Sequence, residues 1–303
     1  MADTQRPYFI ICRTLLHIGC GQSIADIDLP VVRNETTGHP CIPAPALKRA
    51  LRDAMPSDVR NDEVRMKALF GAEGPNGAGM LAPQEASLLL LPQACWAGGM
   101  AWMTCPSILW RLLRQAQGSP WGQNAAPPAG VPRLADHQVL VDAGSPLRQA
   151  YCGRESVLLG DEALQCAQLP GGQAAGWPAW LAATVTGSDD TIDTIEWRTH
   201  VQSRIAIVPD AVFDGLLPQA MCVRARNVIK DDVVDNLWRE ESVAEEAVFH
   251  GVMCAMPLSA HKAQYADTKA ALDALPTEAR LQVGGHAGIG QGWVQWLLRG
   301  ATA

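Results

Sequence analysis

Both ends of this chain read as buried strands backed by a helix, and that arrangement narrows the folds open to it. "YFIICRTLLHIG" (8–19) is apolar and β-branched and stops at glycines 19 and 21. At the other end "RLQVGG" (280–285) and "WVQWLL" (293–298) have the same character. The first strand runs into a long loop with "TTGHP" as its turn, and then into "ALKRALRDA". There Pro43 and Pro45 open a helix, with Leu47 and Leu51 four apart on one face. A helical pattern over roughly 261–275 precedes the closing strands. Strand–helix–strand in front and helix–strand behind predict an α+β fold, a ferredoxin-like (RRM-like) sheet whose halves are separated by insertions.

The middle of the chain supplies the insertions. "ASLLLLP" (86–92) and "GMAWMTC" (99–105) predict two antiparallel strands. "PSILWRLLRQAQ" (106–117) predicts a helix with Ile108, Leu109, Leu112 and Leu113 inward. Two Pro/Gly-rich stretches, 118–132 and 169–180, then bracket a less regular region. Residues 118–195 are expected to form an inserted subdomain with at least one mobile loop, between an N-terminal part, 1–117, and a C-terminal part, 196–303. In that last part a strand at 203–208, a short helix at 210–217, a strand at 220–229, an acid-rich segment at 230–246 and a strand at 247–258 follow in order. No period of 20–50 residues repeats, which excludes a solenoid.

Composition limits function more loosely. With 48% hydrophobic and 18% charged residues the chain can bury a large core. No apolar run approaches the ~18 residues of a membrane span, and the N-terminus lacks the pattern of a signal peptide. The nine cysteines are scattered without a CxxC pair, as expected of reduced thiols in the cytosol. The seven histidines show no HxxxH spacing, which argues against structural zinc. A formal charge of −7 weighs against a general nucleic-acid binder, because neutralising phosphates requires Lys and Arg. A basic groove in an acidic surface stays compatible with it.

Four motifs can carry chemistry. "GGHAGIGQG" (284–292) lacks the spacing and following helix of a dinucleotide fingerprint, and no GK[ST] is present. It reads either as a flexible turn or as a loop whose peptide N–H groups let a phosphate backbone approach closely. Lys48, Arg49 and Arg52 on one helix face read as a solvated stripe or as an anion site near a helix N-terminus. Asp26 and Asp28 are turn caps, or carboxylates presented over a groove to hold a divalent ion or accept a proton. His17, at the end of the first strand, is structural, or lies near Asp28 if the loop folds back.

The stretch "LHIGCGQSIADIDLPVVRNETTGHPCIPAPALKRALRD" resembles the N-terminal signature of the RAMP superfamily. More narrowly, it is similar to the backbone subunits of type III-B CRISPR RNA-guided effector complexes. Five further stretches agree in the same order: 68–92, 101–112, 204–213, 236–251 and 281–294. The resemblance implies a right-hand shape, with a ferredoxin-like palm, inserted fingers and a thumb β-hairpin at about 225–247. It implies cytoplasmic copies stacked along a guide CRISPR RNA with other type III-B subunits, pairing a complementary target RNA, with no membrane involved. Each thumb is expected to displace one base pair at a six-nucleotide period, and the target to be cut beside it.

By motif position the resemblance makes Asp28 the residue at the cut, with His17 and Glu241 as catalytic partners. Lys48, Arg49, Arg52, Arg33, Gly284, Gly285, Gly288 and Gly290 become RNA contacts, and Trp238 and Glu240 the thumb residues that displace the base. The expected chemistry is attack by the RNA's own 2′-hydroxyl, in line with a distorted phosphate, leaving a 5′-hydroxyl and a 2′,3′-cyclic phosphate. An ordinary aspartate is a weak base at neutral pH, so Asp28 is expected to orient the phosphate or hold Mg²⁺ or Mn²⁺. The alternative is a subunit that sheathes the duplex without cutting it. In one departure from its relatives, this chain has Ala44-Pro45-Ala46 where Gly-Ser-Ser usually starts the helix, and Arg49 where a glycine stands. Guide binding should therefore lean on charge and on salt.

Overall fold

A computed structural model describes residues 4–21, 26–72, 77–115, 117, 127–128, 130–167, 176–186, 192–230, 233–258, 261 and 263–300. The first part contains β1 (Gln5–Cys12), β2 (Cys41–Ile42), α1 (Ala44–Asp53), α2 (Ser57–Arg60), α3 (Glu63–Phe70), β3 (Leu81–Pro83), β4 (Ala86–Cys95), β5 (Gly99–Thr104) and α4 (Pro106–Gln115). β6 (Gln138–Val139), β7 (Gln149–Tyr151), β8 (Arg154–Leu159), β9 (Glu162–Cys166), α5 (Gly176–Val185) and α6 (Ile192–Gln202) follow. The last part contains β10 (Ile205–Ile207), α7 (Asp210–Ala220), β11 (Cys222–Lys230), β12 (Val233–Ser242), β13 (Val248–Ala255), α8 (Thr268–Asp273), β14 (Glu278–Gln282) and β15 (Trp293–Leu298).

The fold is α+β, built on one large mixed sheet whose main path runs β14-β15-β1-β13-β4-β8-β9-β6. β1 lies antiparallel to both β13 and β15, so the two ends of the chain close the sheet's centre together. Packing explains why these three strands fit. Tyr8 stacks on Trp296 with ring centroids 4.6 Å apart, and its hydroxyl donates to Gln84 O at 2.7 Å. Gly251 pairs with Tyr8 across the ladder, and a Cβ there would lie 2.3 Å from the Tyr8 hydroxyl. A side chain at 251 would evict the ring. α1 buries Leu47, Ala50 and Leu51 and packs on α3, β3 and β14. Truncating Leu51 to Ala should cost about 2–5 kcal/mol.

Several sequence expectations are corrected here. The strand expected over 8–19 ends at Cys12; Arg13 is exposed, and the next backbone bonds turn aside, with the Arg13 and Thr14 N–H groups donating to Trp293 O. The acid-rich segment 230–246, to which local pattern assigns no element, is mostly strand β12, paired antiparallel with β11 in a separate two-stranded sheet where the resemblance expects a hairpin. The helix expected over 261–275 shrinks to α8, which starts at an Asp267 cap accepting from Ala270 N–H. In the 118–195 region β8 meets β4 at Leu159 and Cys95, and Val139, Leu164 and Trp177 join the one hydrophobic core. Most of its two Pro/Gly-rich brackets lie outside the described residues. All nine cysteines are free thiols, and among the described residues no helix is long and apolar enough to cross a membrane.

One buried group gives a pH dependence. His250 lies on β13, fully enclosed, and among the described residues its Nε2 has no hydrogen-bond partner. Burial, helped by Arg111, pushes its pKa down to about 3. The unfolded chain protonates this histidine below ~6.5, whereas the folded chain does not until far lower pH. Folding stability should therefore fall as pH drops below ~6.5, by roughly 1.4 kcal/mol per unit from this group. Denaturant midpoints of wild type and His250→Leu at pH 7 and pH 5 should differ in slope by about 2 kcal/mol over that interval.

Candidate active site and nucleic-acid interface

Three segments converge at the base of the β11–β12 hairpin. The chain after β1 bonds to the residue beyond β12: Leu16 N–H donates to Val243 O at 3.0 Å and Val243 N–H returns to Leu16 O at 2.8 Å. The loop that carries Asp28 lies along β12. Asp28 and Leu29 N–H both donate to Arg239 O, and Glu241 N–H donates to Leu29 O at 3.0 Å. Val32 N–H reaches Ile18 O at 2.8 Å, so the same loop also grips the segment after β1. The glycine loop closes the third side, with Gly285 N–H on His17 O at 2.9 Å. Gly284 makes that approach possible: its φ is +80°, and a Cβ would stand 2.2 Å from His17 O.

The side chains divide into holding and exposed groups. Asp28 is exposed, and its Oδ2 accepts the Arg239 N–H at 2.8 Å. Its Oδ1 accepts no hydrogen bond among the described residues. Asp26 pairs with the Arg239 guanidinium. Glu241 is buried; Oε2 accepts Val31 N–H at 3.0 Å and Oε1 accepts from Arg33 at 2.5 Å. His17 is buried, with Nδ1 2.7 Å from Glu241 O. A carbonyl only accepts, so the Nδ1 carries the proton, and in the tautomer protonated there Nε2 is the acceptor. Glu240 is buried between Arg226 Nε at 2.7 Å and His286 Nε2 at 3.2 Å, and the His286 ring centroid lies 5.2 Å from that of His17.

The sequence reading and the structure agree unevenly over these residues. Asp28, His17, Glu241, Arg33, Gly284 and Gly285 are brought together. Glu241 holds the loop rather than facing outward, and Arg33 is committed to Glu241 and to Gly38 O. Glu240, expected at the thumb's working face, is 2% exposed and clamped, and Trp238 is half-buried. Among the residues of this strand whose exposure is described, the exposed apolar one is Leu237, at 65%. Strand alternation puts Leu237 on the face of Arg239 and Glu241, which is the face the Asp28 loop adjoins. The alternation in "NLWREES" already separates the two acids onto opposite faces and is the signal that would have found Leu237, Arg239 and, through Glu240, Arg226. His286 has no such signal.

Gly288 and Gly290 stand exposed, with open space where a Cβ would go. Lys48, Arg49 and Arg52 lie apart from the hydrogen-bonded cluster, on α1. None of the three has a carboxylate partner or hydrogen bond among the described residues, and burial lowers the Lys48 pKa. Pro43 precedes the helix and gives no side-chain cap, which leaves its first N–H groups uncovered by side chains. If all three cations meet phosphates, replacing each by Ala should reduce the slope of log affinity for RNA against log salt by about 0.7–0.9. A filter-binding titration between 50 and 300 mM salt is the check, and an unchanged slope assigns the stripe to solvent.

Among the described residues no three His, Cys, Asp or Glu side chains converge as a metal-ligand set. A protein-only cage is therefore not built here. One carboxylate oxygen of Asp28 fits the other way a hydrated Mg²⁺ is held, by one or two carboxylates plus phosphates of the substrate.

No family model matches the chain. A curated relative does: it is 25% identical over 298 residues to the CRISPR system Cmr endoribonuclease Cmr4 of Pyrococcus furiosus, covering 95% of this chain and 94% of that protein. By this similarity the chain resembles the type III-B Cmr backbone subunits. The fold agrees. The crystal structure of oligomeric Cmr4 from Pyrococcus furiosus superposes with a TM-score of 0.69 at 21% identity, over 99% of each chain. A chain of the type III-B Cmr-beta complex bound to cognate target RNA gives 0.65 at 20% identity, over 97% of this chain and 96% of that one. With coverage this complete, the likeness in fold spans both the Asp28 loop and the hairpin.

Proposed function

We propose that this chain polymerises along a guide RNA within a type III-B effector and cuts complementary target RNA beside Asp28 at six-nucleotide steps. The observation that carries the reading is the exposed Asp28 carboxylate, fixed by backbone bonds to the root of a hairpin that stands off the main sheet. The relatives support its wider terms: one is named an endoribonuclease, one is oligomeric and one is bound to cognate target RNA. The spatial order β15-β1-β13-β4, with α1 and α8 in the connections, supports a ferredoxin-like palm. In this reading β11 and β12 are the thumb, and 118–195 the fingers between palm halves 1–117 and 196–303.

The geometry suits cutting by the RNA's own 2′-hydroxyl. The hairpin distorts the strand so that attack on the phosphorus is in line. Leu237, on the Asp28 side, is the apolar side chain available to intrude between bases. Asp28 keeps Oδ2 on the Arg239 N–H and leaves Oδ1 open to hold a cation beside the scissile phosphate. His17, held by Glu241 O with Nε2 as acceptor, takes the 2′-hydroxyl proton as the O2′–P bond forms and the P–O5′ bond breaks. The departing 5′-oxygen takes a proton from water to leave as the 5′-hydroxyl. Mg²⁺ or Mn²⁺ bound by Asp28 and phosphate would offset the charge that develops at the reacting phosphate.

A sheath that never cuts is the second reading, favoured by the fact that an aspartate accepting a backbone N–H also serves simply to hold a turn. Co-expression with the neighbouring subunits and purification in mild salt tests the assembly. The expected product is a rod containing RNA, with an absorbance ratio typical of nucleoprotein. A globule free of nucleic acid contradicts both readings.

A further inference from the structure

One residue of the glycine loop sits where its backbone does not favour it. His286 has φ +63° and ψ +25°, the left-handed region that a side chain other than Gly, Asn or Asp adopts only under strain. Gly284, Gly285, Gly288 and Gly290 surround it, and a glycine at 286 would make the same turn without steric cost. Strain of this kind persists where the surroundings hold it, and it points from geometry toward function. The turn is fixed, because the His286 carbonyl accepts the Ile289 N–H at 3.1 Å and the Gln291 N–H at 3.2 Å. The imidazole then meets two groups of the candidate site. Its Nε2 lies 3.2 Å from Glu240 Oε2, and its ring lies against that of His17, with centroids 5.2 Å apart and planes tilted by 51°.

A single hydrogen bond does not orient a ring. The bond from His17 Nδ1 to Glu241 O fixes one atom and leaves the imidazole free to swing about it. Two neighbours of that ring are glycines and offer no side chain to stop the swing. A Cβ at Gly19 would stand 3.1 Å from His17 Nε2, and one at Gly285 3.8 Å from Cδ2. The His286 ring supplies a stop, and its own anchor is firm: Glu240 is 2% exposed and is also paired with Arg226 Nε at 2.7 Å. Successive residues of β12 thus hold the two histidines, Glu240 through its carboxylate and Glu241 through its carbonyl. We infer that His286 is a positioning residue for the cutting reaction: anchored on Glu240, it bears on the His17 ring and sets the direction in which Nε2 faces. The inference rests on the cutting reading above and adds to it a residue that touches no reacting atom. Productive geometry of this kind has to be held within about 10–20° by such supporting contacts.

The test uses the assembled complex in excess over end-labelled target, with wild type, His286→Gly and His286→Gln compared in single-turnover cutting and in Tm. Glycine relieves the backbone and removes the side chain, while Glu240 keeps Arg226. Glutamine can still donate to Glu240 but has no ring. The maximal rate should fall about ten- to a hundredfold in both variants, the scale of a misplaced reacting group. The complex concentration at half-maximal rate should stay as in wild type, and Tm within about 3 °C of it. A loosened hairpin root would instead weaken target binding and raise that concentration. If His286→Gly cuts at the wild-type rate, or His286→Gln restores it in full, or the loss lies in the half-saturating concentration or in Tm, then His286 does not position His17 and the cutting reading stands. If the wild-type complex does not cut, that reading fails and takes this role of His286 with it.

Discussion

Asp28→Asn should lower target cutting by at least about a hundredfold, the scale of loss when one preorganised charge-stabilising group is removed, while the assembly keeps its RNA. The substitution is informative because asparagine has nearly the same shape. Its side-chain oxygen can still accept the Arg239 N–H, so the loop keeps its place on β12. Only the negative charge is removed, and with it the capacity to hold a cation or draw a proton. Single-turnover cleavage of end-labelled target, with RNA content measured in the same preparations, separates the two effects. Cutting that persists in Asp28→Asn assigns this residue to the turn and moves the chemistry elsewhere.

Glu241→Ala should be the most destabilising change at the site. Its carboxylate is buried, and its removal leaves the Val31 N–H and the Arg33 guanidinium without their acceptor. Breaking a buried pair on one side costs about 3–5 kcal/mol, with a fall in Tm on the order of 5–10 °C for a chain of this size. Cutting should fall as well, because the loop that carries Asp28 then loses its buried anchor and keeps only backbone bonds and the exposed contacts of Asp26 and Asp28 with Arg239. The joint loss distinguishes holding from direct catalysis. A residue that only touched the reacting atoms would slow cutting at an unchanged Tm. Glu241→Gln, which keeps one acceptor, should recover part of the Tm and part of the rate together.

Local pattern was enough to predict most of the sheet. Apolar runs located β1, β4, β5, β13 and β15, and the two prolines located the start of α1. What it missed depends on contacts distant in sequence. Nothing local in "TLLHIG" reveals that the strand ends early because Leu16 prefers Val243, over two hundred residues away. The segment 230–246 reads locally only as acid-rich, and Glu240 and Glu241 are buried because Arg226, His286 and Arg33 come from other segments to neutralise them. The same limit explains the site. Motif order grouped Asp28, His17 and Glu241, but only the folded hairpin shows that Glu241 holds the loop and that Leu237 is exposed beside it.

The most direct measurement is the fate of a complementary, end-labelled RNA mixed with the wild-type assembly and Mg²⁺, resolved at single-nucleotide spacing. A ladder stepping by six nucleotides, with 5′-hydroxyl and 2′,3′-cyclic phosphate ends, is the predicted result. Intact RNA that is nevertheless protected from added nuclease would show that the subunit covers its target without cutting it, and would contradict the role given to Asp28.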